Sequence, residues 1–376
     1  MSFTEYLGNS RVVSALRGML SAERVPHAML FSGPRGVGKF TLARMFAQAA
    51  NCERLRDDFC GECDPCRRIG RLADLRPLIE QGLAQRGERP DAATVERVPL
   101  ILETHPDVWA VVPDPVRIKE PVARPVLHVG QLRAVQRAAY FKPQARRRVF
   151  ILDGAETMRW DYANIFLKIL EEPPDSATLI LLAPNPFQLL PTIRSRCLQF
   201  SFTPLAGEDV EEILCRLTEM KPEVRKLAAQ YSEGSPGAAM ELDVAAAAKL
   251  HRDALTVLER AVASRGVSDL FAGTSALAKN QEIAFENVLE VFYSLLTDLL
   301  DLSSSSSKKI LRNPALDREL ESLSKMVDAA WVTRAVNAFD ALHSRLRRNI
   351  NRSLGLDAVA ISLARPIPGE KDSVSR

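Results

Sequence analysis

Ala28-Met-Leu-Phe-Ser32 runs directly into Gly33-Pro-Arg-Gly36-Val-Gly38-Lys39-Phe40-Thr41, and then into Leu42-Ala-Arg-Met45-Phe46 and Ala50. The first five residues read as a buried strand, the glycines as a tight loop, and Lys39 to about Ala50 as a helix with Leu42, Met45 and Phe46 on one face. Strand, glycine-rich loop and helix in that order are the setting of a phosphate-binding loop, G-x-x-x-x-G-K-[ST]. Backbone N–H groups of such a loop point at phosphates and its lysine reaches the terminal ones. Gly33, Gly36, Gly38 and Lys39 are in place, but Phe40 stands where a hydroxyl must hold Mg²⁺. Thr41 comes one residue late, turned by about 100° around the helix. The loop is built to hold a nucleotide such as ATP, with one part of hydrolysis missing unless Thr41 shifts into reach.

Val108–Val112, Arg148–Asp153, Ala177–Ala183 and Leu198–Phe202 are further short apolar runs. Helical patterns over Gly130–Tyr140 and Tyr162–Glu172 alternate with them, the second stopped by Pro173-Pro174. That alternation predicts a parallel sheet with helices on both faces. Residues 67 to about 104 are rich in Arg and Leu without a clear strand signal, and read as an inserted, partly helical excursion. After Pro204 only helical patterns remain. The expected organisation is an α/β domain over 1–203 (cysteine module 52–66, insertion about 67–104), a small helical lid over 204–244, an all-α domain over 245–365 and a flexible tail over 366–376. Ser303–Ser307 reads as a loop within the helical domain.

A chain of 376 residues supports two or three domains. The net charge of +3, from 50 basic and 47 acidic residues, is too balanced for composition alone to indicate nucleic-acid binding. No apolar run of about 18 residues exists to cross a membrane, and the first ten residues do not resemble a secretory signal. The expected location is the cytoplasm, where cysteines stay reduced.

Four of the six cysteines, Cys52, Cys60, Cys63 and Cys66, fall within fifteen residues as C-x₇-C-x₂-C-x₂-C. Pairs two residues apart present both sulfurs to one ion, and four thiolates complete the shell of a structural Zn²⁺. An iron–sulfur cluster or four ordinary buried cysteines are the alternatives. Asp153 closes an apolar strand, as the metal-orienting acid of phosphate-loop ATPases does, yet the next residue is Gly154 where a water-polarising glutamate would stand. Taken alone, Asp153 is equally an acid ending a strand. Ser195-Arg196-Cys197 follows a turn and precedes a strand. Arg196 is either a surface residue or an arginine finger reaching a neighbouring subunit's γ-phosphate.

These features together, with Asn164-x-x-Leu-Lys168-x-Leu-Glu-Glu-Pro-Pro174, resemble the bacterial DNA polymerase III clamp-loader family, which is of the AAA+ class. Leu7-Gly-Asn-Ser, His27-Ala-Met-Leu-Phe31, His105-Pro-Asp107, Lys142-Pro and Arg146-Arg-Arg-Val-Phe-Ile-Leu-Asp153 fit it as well. So do Leu346-Arg-Arg-Asn-Ile-Asn351 and Leu354-Gly-Leu356 near the end. The family's motors, gamma or tau, carry Thr after the loop lysine, Asp-Glu at the strand end, and an arginine after Gly-Ser in the second domain. Here Phe40, Gly154 and Gly237 occupy those places while Arg196 is kept, a pattern similar to the delta-prime branch.

The resemblance implies a hydrolysis-deficient stator within a ring of gamma/tau and delta subunits, held together by the C-terminal collar. The ring opens the sliding clamp and places it on primer–template DNA, and Arg196 would complete a neighbour's ATP site. Asn185 would be a sensor near the phosphates, although its register is shifted by one position. Arg146, Arg147 and Arg148 either touch DNA phosphates or form a solvated strand entry, and Lys168 is equally open. Leu167 and Leu170 read as core. The rival readings are an active gamma/tau-like ATPase, a phosphate-loop ATPase of another pathway, and a zinc-dependent nucleic-acid module.

Overall fold

The computed structural model describes residues 2–87, 90–115, 125–158, 160–263, 267–279, 285–303, 311–346 and 351–364. The serines beyond Ser303, positions 347–350 of the Leu346–Asn351 motif and the tail 366–376 lie outside the described residues. The chain divides into two compact units. One holds the residues up to Arg216 together with Gly234–Ala238, and the other holds Leu217–Glu233 and the residues from Ala239 onward.

The first unit is built on a six-stranded sheet of β1 (Ala28–Ser32), β2 (Leu102–His105), β3 (Val108–Val111), β4 (Arg148–Leu152), β5 (Ala177–Ala183) and β6 (Leu198–Ser201), in the order β2-β3-β4-β5-β1-β6. All neighbours are parallel except β2 and β3. Every residue of β1, β4 and β5 is buried, which is why these strands read as continuous apolar runs rather than alternating ones. The helices of this unit are α1 (Ser10–Ser21), α2 (Lys39–Ala50), α3 (Asp64–Gly70), α4 (Arg76–Ala84), α5 (Ala92–Arg97), α6 (Val129–Ala139), α7 (Trp160–Glu171), α8 (Pro191–Arg194) and α9 (Gly207–Leu217). On one sheet face Leu30, Phe150 and Leu181 pack with Leu132 and Val135 of α6 and Phe166 and Ile169 of α7. Leu170 is buried in this layer, Leu167 is packed at its edge, and Lys168 is exposed.

The excursion after the cysteines differs from expectation. It carries α3, α4 and α5 as helical pieces, but it ends in β2, an edge strand antiparallel to β3. Four residues are too few to show a strand period, and pairing with β3 supplies what local sequence does not. Nor is the segment a loose insertion. Arg86 and Asp114 form a fully buried ion pair at 2.6 Å, and Arg86 Nε donates to Val98 O at 2.7 Å. Gln131 on α6 donates from Nε2 to Leu100 O and Val112 O at 2.7 and 2.9 Å, while its Oε1 accepts from His128 N–H and closes the helix cap.

The second unit is helical: α10 (Pro222–Tyr231), the second half of α11 (Pro236–Glu241), α12 (Val244–Ala263), α13 (Val267–Lys279), α14 (Phe285–Ser303), α15 (Asp317–Ser324), α16 (Ala329–Leu346) and α17 (Arg352–Leu363). Phe292 and Phe339 stack at 4.6 Å in its core, and Trp331 Nε1 donates to Leu363 O at 3.1 Å. Asp298, fully buried, accepts from the backbone N–H groups of Arg312 and Asn313 at 2.8 and 2.9 Å and from Asn313 Nδ2 at 2.8 Å. Those bonds satisfy a carboxylate that burial otherwise penalises.

Candidate functional site

Parallel pairing brings the C-terminal ends of β1, β4 and β5 to one edge: Ser32 lies across from Ala183, and Leu181 across from Leu152. Ligands of open α/β sheets sit at this edge. The loop Gly33–Gly38 leaves β1 there, Asp153 ends β4, and Asn185 follows β5. Gly33 N–H donates to Ala183 O and Pro184 O at 3.3 and 3.2 Å, so the loop's first glycine is tied to the residues just before Asn185.

Lys39 is buried, and its ammonium donates to Gly33 O and Pro34 O, both at 2.6 Å. Burial lowers its pKa, while the carboxylates of Asp153 and Glu156 oppose that shift. Asp153 is pushed up by burial, against the Gly154 N–H that donates to its Oδ1 at 3.0 Å and against the charges of Lys39 and Arg35. Glu156, three residues beyond Asp153, adds a second carboxylate: its charge is felt by Lys39 and it pairs with Arg35 at 3.5 Å. Its Oε2 is buried without a hydrogen-bond partner among the described residues. The signal was present three residues after Asp153, but only the turn that follows β4 carries it toward the loop. Phe40 is half-buried in the first turn of α2, and Thr41 is exposed.

The segment Ser235–Ala238 closes on the phosphate loop from two hundred residues away. Gly237 N–H donates to Gly36 O at 3.0 Å, and Ser235 Oγ donates to Arg35 O at 2.8 Å and accepts from Ala238 N–H at 3.2 Å. Gly36 has a φ of 73°, and a side chain there would run into Ser235. A Cβ on Gly237 would lie 2.8 Å from Gly36 Cα, so this approach of two backbones requires glycine at 237 and has no room for arginine. Gly237→Ala is therefore expected to destabilise the chain by about 1–3 kcal/mol in a urea titration. Gly18→Ala, at an exposed and open helical position, should leave the midpoint unchanged or raise it slightly. Equal midpoints for wild type and Gly237→Ala would show that the strap does not bear on the loop.

The other end of α2 carries the cysteines. All four sulfurs lie within 4.8 Å of one another. Tetrahedral Zn–S bonds of about 2.3 Å set sulfurs about 3.8 Å apart, so the four thiols fit that ion. Leu55 N–H donates to Cys52 Sγ at 3.4 Å and Cys63 N–H to Cys60 Sγ at 3.3 Å, contacts that favour thiolates. Burial raises the Cys60 thiol, but hydrogen bonds from the Cys63 and Glu62 backbone outweigh it and bring the pKa to about 6. Cys66, fully buried, is pushed up by burial and by its neighbour Cys63. Gln48 of α2 donates from Nε2 to Cys66 O at 2.8 Å and accepts from Arg44 at 3.1 Å, fastening the module to the loop's own helix. Cys197 is a core thiol raised to about 12 by burial, and Cys215 is exposed.

Arg196 sits in the turn between α8 and β6, about one-third exposed. Its Nη2 pairs with Glu171 Oε1 at 2.8 Å, and its Nη1 donates to Thr192 O at 2.9 Å. Its neighbour Cys197, buried in the core, anchors the turn. Asn185 caps its own short turn, accepting from Phe187 N–H at 2.9 Å. Of the three strand-entry arginines, Arg148 is buried beside Asp107 at 3.7 Å and is neither solvated nor free to meet DNA.

The profile described as "DNA polymerase III, delta subunit" matches residues 8–206. The tau subunit of DNA polymerase III from Escherichia coli K12 is 33% identical over 266 residues, covering 70% of this chain and 33% of that protein. The gamma/tau subunit of Mycobacterium tuberculosis H37Rv is 28% identical over 403 residues, covering 99% of this chain and 62% of its own length. The chain thus spans one-third of the first of these relatives and under two-thirds of the second. A DNA polymerase III gamma-subunit-related protein of Thermotoga maritima aligns at a TM-score of 0.36 and 17% identity, over 94% of this chain and 99% of that one.

Proposed function

The chain belongs to the DNA polymerase III delta-subunit family of clamp-loader subunits, and from that premise we propose that it is a delta-prime-like stator of the loader. In this reading it joins gamma/tau and delta subunits in the cytoplasm, with its helical stretch 204–244 as lid and its region 245–365 as the collar of an AAA+ ring. The ring opens the sliding clamp and loads it on primer–template DNA. The observation that carries the reading is the state of the phosphate loop. Phe40 replaces the Mg²⁺-binding hydroxyl, Gly154 replaces the water-polarising acid, and the backbone of Gly237 rests on Gly36.

ATP, when bound, would supply only a ligand here, not a turnover. Lys39 and the N–H groups around Gly36 and Gly38 are the groups to meet its phosphates, and Lys39 has to exchange the Gly33 and Pro34 carbonyls for them. Asn185 would be the sensor, since it follows β5, which lies between the loop strand and the Asp153 strand. The four cysteines hold a structural Zn²⁺. Arg196 is the residue that acts in catalysis, on the neighbour's γ-phosphate.

A second reading, an active gamma/tau-like ATPase, is favoured by the names of the relatives. Purified chain separates the two. The stator is expected to show no Mg²⁺-dependent ATP turnover alone and to raise turnover when motor subunits are added. Turnover by the isolated chain that Lys39→Ala abolishes would establish the motor instead.

A further inference from the structure

At the sheet edge opposite the phosphate loop, where β1, β4 and β5 begin, a cleft of about 350 Å³ opens between the ends of α1 and α2. Its charged lining is Arg56 from the cysteine module, Arg146 and Arg147 from the entry to β4, and Glu23; its apolar wall includes Leu20 and Val25. The two β4-entry arginines are fixed by their backbone, since both N–H groups donate to Asn51 Oδ1, at 3.2 and 3.0 Å. Arg147 is half-buried. Its Nε donates to Thr178 Oγ1 at 2.6 Å, and its Nη2 donates to the carbonyls of Val25, Asp175 and Ala177 at 3.2, 3.2 and 3.4 Å. Arg146 Nη1 donates to Leu55 O at 3.3 Å.

Among the described residues neither Arg146 nor Arg147 has a carboxylate at ion-pair distance. Glu23 is the acid of the cleft, and it meets Arg56 at 3.5 Å with both side chains about three-quarters exposed. Three guanidiniums therefore face one carboxylate around a concave surface. Burial lowers the pKa of Arg147 and the Asp175 charge opposes that shift, so the fold keeps a partly desolvated cation with no carboxylate in direct ion-pair contact among the described residues. Carbonyl contacts explain Arg147 as a tie between strand entries. They do not explain why Arg56 and Arg146 converge on the same opening. Guanidinium forks recognise phosphate oxygens in bidentate fashion, and low-dielectric concave walls strengthen the attraction.

We propose that this cleft, lined by Arg56, Arg146 and Arg147, binds a phosphate group, carried either by free inorganic phosphate or by the 5′ end of a nucleic-acid strand. It is separate from the loop at Gly33–Lys39 and does not depend on how that loop is read.

The test titrates the full chain by calorimetry with sodium phosphate, and with a single-stranded oligonucleotide bearing either a 5′-phosphate or a 5′-hydroxyl. Each titration is repeated with Lys39→Ala, Arg146→Ala, Arg56→Ala and Arg146→Lys. Lys39→Ala removes any contribution of the phosphate loop and should leave the cleft's affinity unchanged. Arg146→Ala and Arg56→Ala should each weaken binding about tenfold at low salt, and Arg146→Lys should restore it only in part because the fork is lost. Binding of both inorganic phosphate and the phosphorylated strand assigns either source, and a preference for one names it. Urea midpoints matching wild type confirm that the exposed positions 56 and 146 change binding and not folding. The proposal is overturned if Arg56→Ala and Arg146→Ala bind every probe as wild type does, or if Lys39→Ala alone abolishes binding.

Discussion

Cys66→Ser is expected to cost the chain its metal and the cooperative folding of the α/β unit around it. Cys66 is fully buried in the first turn of α3, and its carbonyl is held by Gln48 of α2. One hydroxyl among three thiolates cannot complete the shell, and structural Zn²⁺ contributes on the order of 10 kcal/mol to the folding of a small module. Part of that is dissipated locally, because α2 keeps its packing on the sheet. The expected loss is about 3–5 kcal/mol in urea unfolding, with zinc content falling from one ion per chain to a small fraction. Cys215→Ser, at an exposed position far from the cluster in sequence, should change neither reading. Chelation of wild type should reproduce the Cys66→Ser midpoint. Wild-type chain purified without bound metal, or Cys66→Ser unfolding at the wild-type midpoint, would remove zinc from the account. Visible absorbance from the purified chain would point to an iron–sulfur cluster instead.

The parts of this protein visible in its sequence are those whose physics is local. β1, β4 and β5 are buried on both faces, so each is a short, mainly apolar run, and the glycine loop and Pro173-Pro174 mark where helices start and stop. The cysteine spacing was sufficient to bring four sulfurs together, because two of its three gaps are single turns. What stayed hidden is non-local. β2 is a strand only because β3 offers it a partner, and the buried pair Arg86–Asp114 joins positions 28 residues apart. Nothing local in Gly234-Ser-Pro-Gly237 says that Gly237 must lie against Gly36, since the requirement is set by the loop it touches. Glu156 does not stand at the position next to Asp153 where a catalytic acid is expected, and only the turn after β4 brings its charge to Lys39 and Arg35.

Arg196→Ala, in the loader assembled with motor subunits, is expected to lower the ATP turnover of the site it completes on the order of 10³-fold. Turnover of the whole complex should fall by less if, as in the proposed ring, the other sites have arginines of their own. In the proposed stator, the geometry would leave this residue available to a neighbour. Arg196 rises from a turn anchored by buried Cys197, so its backbone is fixed, but its guanidinium is held only by Glu171 at 2.8 Å and by Thr192 O. Both side chains of that pair are at least one-third exposed, and an ion pair of this kind is worth about 0.2–1 kcal/mol. Exchanging it for a γ-phosphate in a water-excluded interface gives a much stronger, charge-assisted contact. Glu171→Gln should therefore leave turnover nearly unchanged, while Arg196→Lys should recover little, because a point charge lacks the planar fork. Sedimentation must show the Arg196→Ala complex assembling as wild type does, so that lost turnover reports the site and not the ring. If clamp loading and ATP turnover both stay at wild-type rates in that intact complex, Arg196 is a surface arginine whose partner is Glu171, and the proposed arginine finger falls.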